Sequence, residues 1–231
     1  MNISFNFNQS TKIDNGTLYV YDLLGSELKV RCQTGHYFFE LNNSKYLIEG
    51  DLYYYHDEQI TEYLSNKSNK YLTDFFIRII REKGLLFLMD HLEGVFILLC
   101  IDVDEFTIYG DKLKRKELFY HSEGASFIAD LDLNYLVEKV GKSAYNQSVI
   151  ASILSTHYQY TPAKHTIHEN IFAIGPNESL NYSKDGLTKN AERSLEEIEE
   201  YSEDKIDDIE ERLNRSILGR THQTTNIANS T

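Results

Sequence analysis

Short hydrophobic runs separated by polar turns predict β-strands along much of the chain. Alternating or aromatic-rich runs predict strands at 3–8, 17–21, 28–32, 36–41, 45–48 and 52–55. Between residues 92 and 131, further β-rich runs bounded by polar turns predict a meander with one long charged loop. The turn after the first of these runs contains Asp102 and Asp104, which we interpret as hairpin residues and not as a metal-binding pair.

Helical periodicity interrupts this β-rich pattern. It predicts helices at about 57–65 and 71–83, and again near 131–140 and 147–155. The second helix carries its apolar residues at three- and four-residue spacing, which gives one face able to cover a sheet. These residues are Leu72, Phe75, Phe76, Ile79 and Ile80. The mixture of strands and helices favours the α+β class.

A long amphipathic helix is predicted from 194 to 218. Ser194 and Glu197 have the spacing of a capping box, and an apolar stripe that includes Ile209 follows. We expect this stripe to be buried against a partner or against the domain itself.

Charge and composition exclude several classes of function. The net charge of −13 argues against nucleic-acid binding, because phosphate contacts need a positive surface. The first residues are polar, and the most hydrophobic segment, 85–101, is interrupted by Asp90, His91 and Glu93, so we expect neither a signal peptide nor a membrane span. Cys32 and Cys100 lie in strand-like runs and favour reduced core thiols, which fits a cytoplasmic protein.

Few residues point to chemistry of their own. His165 and His168 are close in sequence but have no cysteine or acidic cluster beside them, so we expect no metal site and no cofactor. Cys32 has no neighbouring histidine to activate it as a nucleophile. The basic cluster of Lys112, Lys114, Arg115 and Lys116 is either an anion- or partner-binding loop or a solvated loop, and the sequence favours neither.

Two blocks of motifs resemble the N-terminal glutaminase-type (class II glutamine amidotransferase) domain of asparagine synthetases and their relatives. The first follows the glycine-containing run at 92–96 and matches the family pattern D-R-x-G-x-K-P-L-Y-Y at Asp111, Lys116, Leu118, Phe119 and Tyr120. The second, at 160–162, 166–171 and 175–180, resembles Y-x-P, T-I-F and L-P-P-G-x-x-L. The resemblance covers about residues 48–190 and implies a four-layer αββα sandwich of the N-terminal-nucleophile hydrolase type, with a C-terminal helix.

The same comparison indicates that the family's glutaminase site is degenerate. The chain begins Met1-Asn2 where active members expose a cysteine. The family's asparagine-glycine-acid turn, whose asparagine stabilises the oxyanion, corresponds to Glu49-Gly50-Asp51, and a carboxylate would repel that charge. The pair that holds the glutamine amine falls near 71–72, without an acid. We therefore expect no catalytic residues.

These observations predict a degenerate amidotransferase-like domain at 1–190 and an acidic linker helix and tail at 191–231. In the resembled family such a helix leads to an ATP-pyrophosphatase synthetase domain, whose phosphate-binding loop we expect to be absent from this chain. The expected role is a glutaminase-inactive scaffold or interaction module of an asparagine synthetase-like, ATP-dependent amide-forming protein. Its partner would be a separate synthetase domain or a second copy of the chain. The alternatives are a fragment of a glutamine-hydrolysing asparagine synthetase with amidotransferase activity, and a non-functional truncated remnant.

Overall fold

The structure is a computed structural model. It describes residues 3–6, 17–23, 26–32, 36–124, 126–141, 144–156, 165–176, 178–191, 213–214 and 217–218. The chain divides into two compact units. The first comprises Met1–Gly50 with Phe96–Glu192, and the second comprises Asp51–Val95 with Arg193–Thr231.

The described elements form runs of consecutive strands separated by pairs of helices. In chain order they are β1 (Ile3–Asn6), β2 (Thr17–Leu23), β3 (Ser26–Cys32), β4 (His36–Leu41), β5 (Ser44–His56), β6 (Thr61–Tyr63), α1 (Asn69–Lys83), α2 (Leu85–His91), β7 (Leu92–Ile101), β8 (Phe106–Gly110), β9 (Phe119–Glu123), β10 (Ser126–Asp130), α3 (Leu133–Val140), α4 (Gln147–Thr156), β11 (Phe172–Ala173), β12 (Glu178–Ser183) and β13 (Gly186–Ala191). The α+β class is therefore confirmed.

Sheet A contains strands distant in sequence, in the order β11-β9-β10-β1-β3-β2. Strand β1 lies in its interior and is parallel to both of its neighbours, β10 and β3. The remaining pairs in this sheet are antiparallel. Helix α3 is capped by Asp132, whose carboxylate accepts hydrogen bonds from the backbone N–H groups of Asn134 and Tyr135. The helix contacts β9 and β10.

Sheet B has the order β13-β12-β8-β7-β5-β4, with β6 added alongside β5. A two-residue turn joins β4 to β5, and both of its residues have positive φ, 52° at Asn42 and 71° at Asn43. Asparagine tolerates this conformation, which is that of a type I′ hairpin. The turn fixes the register of the hairpin, since Leu41 pairs with Ser44 and every earlier pair follows from it.

The core of the first unit lies between the two sheets. Buried side chains from β3, β9 and β10 of sheet A and from β5, β7, β8 and β12 of sheet B form one hydrophobic cluster. Within it, Tyr182 stacks on Phe106 with ring centroids 5.2 Å apart, and Phe106 meets Phe127 of the facing sheet at 5.5 Å. Alternation along each strand supplies these inward residues, as in other sheet-on-sheet packings.

The second unit is organised around helix α1. Ser68 caps the helix by accepting a hydrogen bond from the Tyr71 N–H, and the predicted apolar face is buried at Leu72, Phe75 and Phe76. Tyr55 of β5 packs edge-on against Phe75 with ring centroids 5.3 Å apart. Among the described residues, no helix has the length and hydrophobicity that a membrane span requires.

Three sequence-based predictions of local structure are wrong. The helix predicted at 57–65 is a turn followed by β6, because the Asp57 carboxylate accepts the backbone N–H groups of Gln59 and Ile60 and so bends the chain. The predicted meander is two hairpins, β7–β8 in sheet B and β9–β10 in sheet A. The turn expected at Glu49-Gly50-Asp51 lies inside the continuous strand β5, with Gly50 at a φ of 132°.

The other elements agree better with their predictions. Strands β2 to β4, helix α1 and helices α3 and α4 lie within a few residues of the predicted bounds. Helix α2 was not predicted, because it is only seven residues long and leads directly into β7. The hairpin turn at Asp102 is confirmed by the hydrogen bond from its N–H to the Glu105 carbonyl, 2.8 Å long. Most of the helix predicted at 194–218 lies outside the described residues.

Candidate functional site

Glu49, which the sequence analysis singled out, is a buried carboxylate. Glu49 lies on β5, two residues after the core residue Leu47, so its side chain lies on the same face of the strand. Only 6% of Glu49 is exposed. It therefore extends the apolar face of sheet B with a charged group.

His36 is the cross-strand partner of Glu49. The register set by the Asn42-Asn43 turn places the two residues directly opposite each other on β4 and β5. Side chains at such positions share one face of the sheet, with their Cβ atoms about 5 Å apart. The Tyr19 hydroxyl lies 2.7 Å from His36 Nε2, and the two rings meet edge to face. His36 is thus held by a partner on β2 of sheet A.

Cys32 approaches the same point from the end of β3 in sheet A. Its Sγ, a ring nitrogen of His36 and a carboxylate oxygen of Glu49 all lie within 4.8 Å of one another. The thiol is free and fully buried, and burial, followed by the nearby Glu49 carboxylate, raises the pKa of Cys32 well above its usual range. The thiol is therefore protonated at neutral pH and is a poor nucleophile.

The charged loop between β8 and β9 contributes Lys116 to this region. Asp111 is 1% exposed, and its carboxylate accepts hydrogen bonds from the backbone N–H groups of Leu113, Arg115 and Lys116 at 3.0–3.2 Å. Arg115 Nε also donates to Asp111 at 3.2 Å. The loop is therefore folded around one buried anion. The loop is thus not fully solvated.

Lys116 connects this loop to Glu49. Its Nζ lies 3.5 Å from Glu49 Oε1, and its side chain is only 15% exposed. The ammonium partly compensates the buried carboxylate, since a charge removed from water needs an opposite charge or hydrogen bonds. The structure thus brings together two predicted residues, Glu49 and Lys116, that are distant in the sequence.

The other predicted site residues do not join this cluster. Gly50 follows Glu49 within the strand, Asp51 is exposed, and Lys112 is half-buried in the charged loop. Ile209 lies outside the described residues. The assignment of Lys112, Arg115, Lys116 and Ile209 to an interface stays a prediction.

His36 was not identified as a site residue from the sequence, and Cys32 was considered only to be rejected as a nucleophile. Cys32 has no adjacent histidine in the sequence. However, β3 and β4 belong to different sheets, and a ring nitrogen of His36 on β4 lies within 4.8 Å of Cys32 Sγ. The Asn42-Asn43 turn was the signal that could have paired His36 with Glu49, because counting outward from a two-residue hairpin gives the register. By contrast, the prediction that Cys32 and Cys100 are buried free thiols is confirmed.

The arrangement has a clear chemical consequence. Glu49 is paired with the Lys116 ammonium, and an ionised carboxylate accepts hydrogen bonds but cannot donate them. In comparisons with known proteins, no family model matches the chain, and no curated protein matches it either.

Proposed function

We propose that the chain is a glutaminase-inactive, amidotransferase-like domain of an asparagine synthetase-like system for ATP-dependent amide formation. In this proposal its fold is the four-layer αββα sandwich of the N-terminal-nucleophile hydrolases, and its role is that of a scaffold or interaction module. The two sheets with a shared core are compatible with that architecture. We also propose a cytoplasmic location, which suits two free thiols.

One observation carries the inactivity. The resemblance assigns the family's oxyanion donor to Glu49, which is a buried carboxylate on strand β5 with Lys116 beside it. In a working site, removing one oxyanion donor costs about 2.7–4 kcal/mol of the activation barrier. Replacing the donor by an anion adds electrostatic repulsion to that loss. Glutamine hydrolysis through this position is therefore strongly disfavoured.

The interaction role is supported by the ordered charged loop. Asp111 holds the loop in a defined conformation, so its basic residues form a preorganised surface. The partner that the resemblance implies is a separate ATP-pyrophosphatase synthetase domain. A second copy of the chain is the other partner that the proposal allows.

Two measurements test the proposal. Ammonia release from glutamine by the full chain should not exceed the rate in buffer, and measurable turnover would instead favour an active amidotransferase fragment. For the scaffold role, the chain should copurify with an ATP-pyrophosphatase domain encoded next to its gene or form a dimer in sedimentation. The absence of both associations would contradict that role and favour a non-functional remnant.

A pair of charge reversals locates the interface. Lys112→Glu in the charged loop should weaken whichever association is observed. Lys184→Glu is the matched control, because Lys184 is exposed in the β12–β13 turn. Equal association of the two variants would remove the charged loop from the interface.

A further inference from the structure

The geometry points to a site for a zinc-class divalent cation formed by Cys32, His36 and Glu49. This inference is independent of the proposed scaffold role. The three candidate ligand atoms lie within 4.8 Å of one another. No metal site was expected from the sequence, because the ligands come from two sheets and from both sides of a hairpin.

The chemistry of the three groups suits zinc. A thiolate, an imidazole and a carboxylate are the ligand types that Zn²⁺ uses, at about 2.0–2.3 Å from the ion. Ligands at those distances in a tetrahedral arrangement are roughly 3–4 Å apart. Small side-chain rotations would therefore bring the observed group to coordination distance. Three protein ligands leave a fourth position for water.

The backbone preorganises the group. His36 and Glu49 are fixed on the same face by the register of the β4–β5 hairpin, and Cys32 is the last residue of β3 in the opposing sheet. Sites built on strands hold their ligands more precisely than sites built on loops. The ligand set thus spans both sheets and would fasten their ends to each other.

His36 also has the orienting partner that a metal ligand needs. Its Nε2 lies 2.7 Å from the Tyr19 hydroxyl, so a bound ion would take the other ring nitrogen. In metal sites the second ring nitrogen usually donates its proton to an oxygen, and this bond fixes the ring and its tautomer. Tyr19 is positioned to accept that proton.

Charge balance is compatible with binding. Coordination releases the thiol proton to solvent, so one thiolate and one carboxylate neutralise the dication. Lys116, whose Nζ lies 3.5 Å from Glu49 Oε1 in this structure, would then also face the cation. Its long side chain is partly exposed and can turn toward water. Lys116 and the ion therefore compete for Glu49, which predicts that removing the ammonium strengthens metal binding.

Cobalt(II) is the probe that tests the site. The full chain is treated with a chelator, dialysed and titrated with Co²⁺, and its absorption is recorded. We expect one equivalent to bind with a thiolate-to-cobalt charge-transfer band, and Zn²⁺ to displace it. An absent band, or cobalt binding without thiolate character, would overturn the inference.

Variants assign the ligands. Cys32→Ala, His36→Gln and Glu49→Gln should each abolish the one-equivalent binding, whereas Cys100→Ala, which removes the other buried thiol, should retain it. Tyr19→Phe should weaken binding by about 10–100-fold, the usual effect of losing an orienting partner. Lys116→Met should bind more tightly than the unmodified chain.

The outcome remains decisive even if one variant is unstable. Circular dichroism checks that each variant is folded, and His36→Gln changes a half-buried residue, so it tests the site if Cys32→Ala does not fold. Retention of the charge-transfer band in both His36→Gln and Glu49→Gln would contradict the assigned ligands. Loss of the band in Cys100→Ala alone would place the metal elsewhere.

Discussion

Replacing Asp111 by alanine should destabilise the first unit more than any other single change in the charged loop. The Asp111 carboxylate is 1% exposed and accepts four hydrogen bonds, one of them from the Arg115 guanidinium. Breaking a buried ion pair by removing one partner costs about 3–5 kcal/mol. The gross value of four charge-assisted bonds would be larger, but Arg115 is 22% exposed and can return to water. We therefore expect a loss of about 3–5 kcal/mol.

Two further variants define the cause of this loss. Asp111→Asn keeps an acceptor oxygen but removes the charge, so it should lose about half as much free energy of unfolding, roughly 1.5–2.5 kcal/mol. Asp104→Ala, in the exposed β7–β8 turn, is the control and should change stability by at most about 0.5 kcal/mol. The ordering alanine, asparagine, control separates the effect of the charge from that of the hydrogen bonds.

Urea unfolding measures these differences. The chain has no tryptophan, so far-ultraviolet circular dichroism and tyrosine fluorescence are the signals. Midpoints and slopes should be compared, because a changed slope would indicate an altered unfolded state or the loss of a single transition. A loss below about 1 kcal/mol for Asp111→Ala would refute the reasoning that this anion organises the loop.

Three other predictions concern stability and reactivity. Hydrogen bonds from Lys83 and Tyr55 hold the pKa of Asp57 below its usual value of 3.8 despite burial, so the stability that this carboxylate contributes is present above about pH 4 and is lost as the pH falls further. The difference in unfolding free energy between the unmodified chain and Asp57→Asn should therefore shrink between pH 5 and pH 2. A constant difference would contradict this prediction. Burial, aided by Asp102, raises the pKa of Cys100 to about 12, and Cys32 is buried as well. Iodoacetamide at pH 8 should therefore label both thiols only after the chain is unfolded, and rapid labelling of the native chain would disprove their burial. Because Asn43 has a φ of 71°, Asn43→Ala should lower the free energy of unfolding by about 1–2 kcal/mol in thermal or urea unfolding, whereas Asn43→Gly should not lower it. Equal stability of the two variants would argue against the type I′ turn.

Local patterns predicted most elements because each depends on nearby residues. The face of α1 is an example, since Leu72, Phe75 and Phe76 are apolar at helical spacing and are buried as expected. The helix prediction at 57–65 was wrong because a local interaction there opposes the helix. The apolar spacing of this segment resembles a helix, but Asp57 binds the next backbone N–H groups and competes with helical hydrogen bonds.

The candidate site was less predictable because its geometry is nonlocal. Glu49 and Lys116 were singled out by their positions in motifs, but no local pattern shows that an ammonium from the charged loop reaches β5. Cys32 and His36 were not predicted to form a site because the sheet assignment of consecutive strands is not encoded in periodicity. Strands β3 and β4 are adjacent in sequence and belong to opposite sheets.

The placement of β1 has a consequence for how the chain folds during synthesis. Its two neighbours are β3, made soon afterwards, and β10, made only after much of the chain has emerged. Until Ser126–Asp130 arrive, one edge of β1 presents unpaired backbone groups, and an open edge invites pairing with other chains. Closing a parallel pair over such a sequence separation is slow. Translation that stalls between β3 and β10 should therefore favour aggregation of the nascent chain.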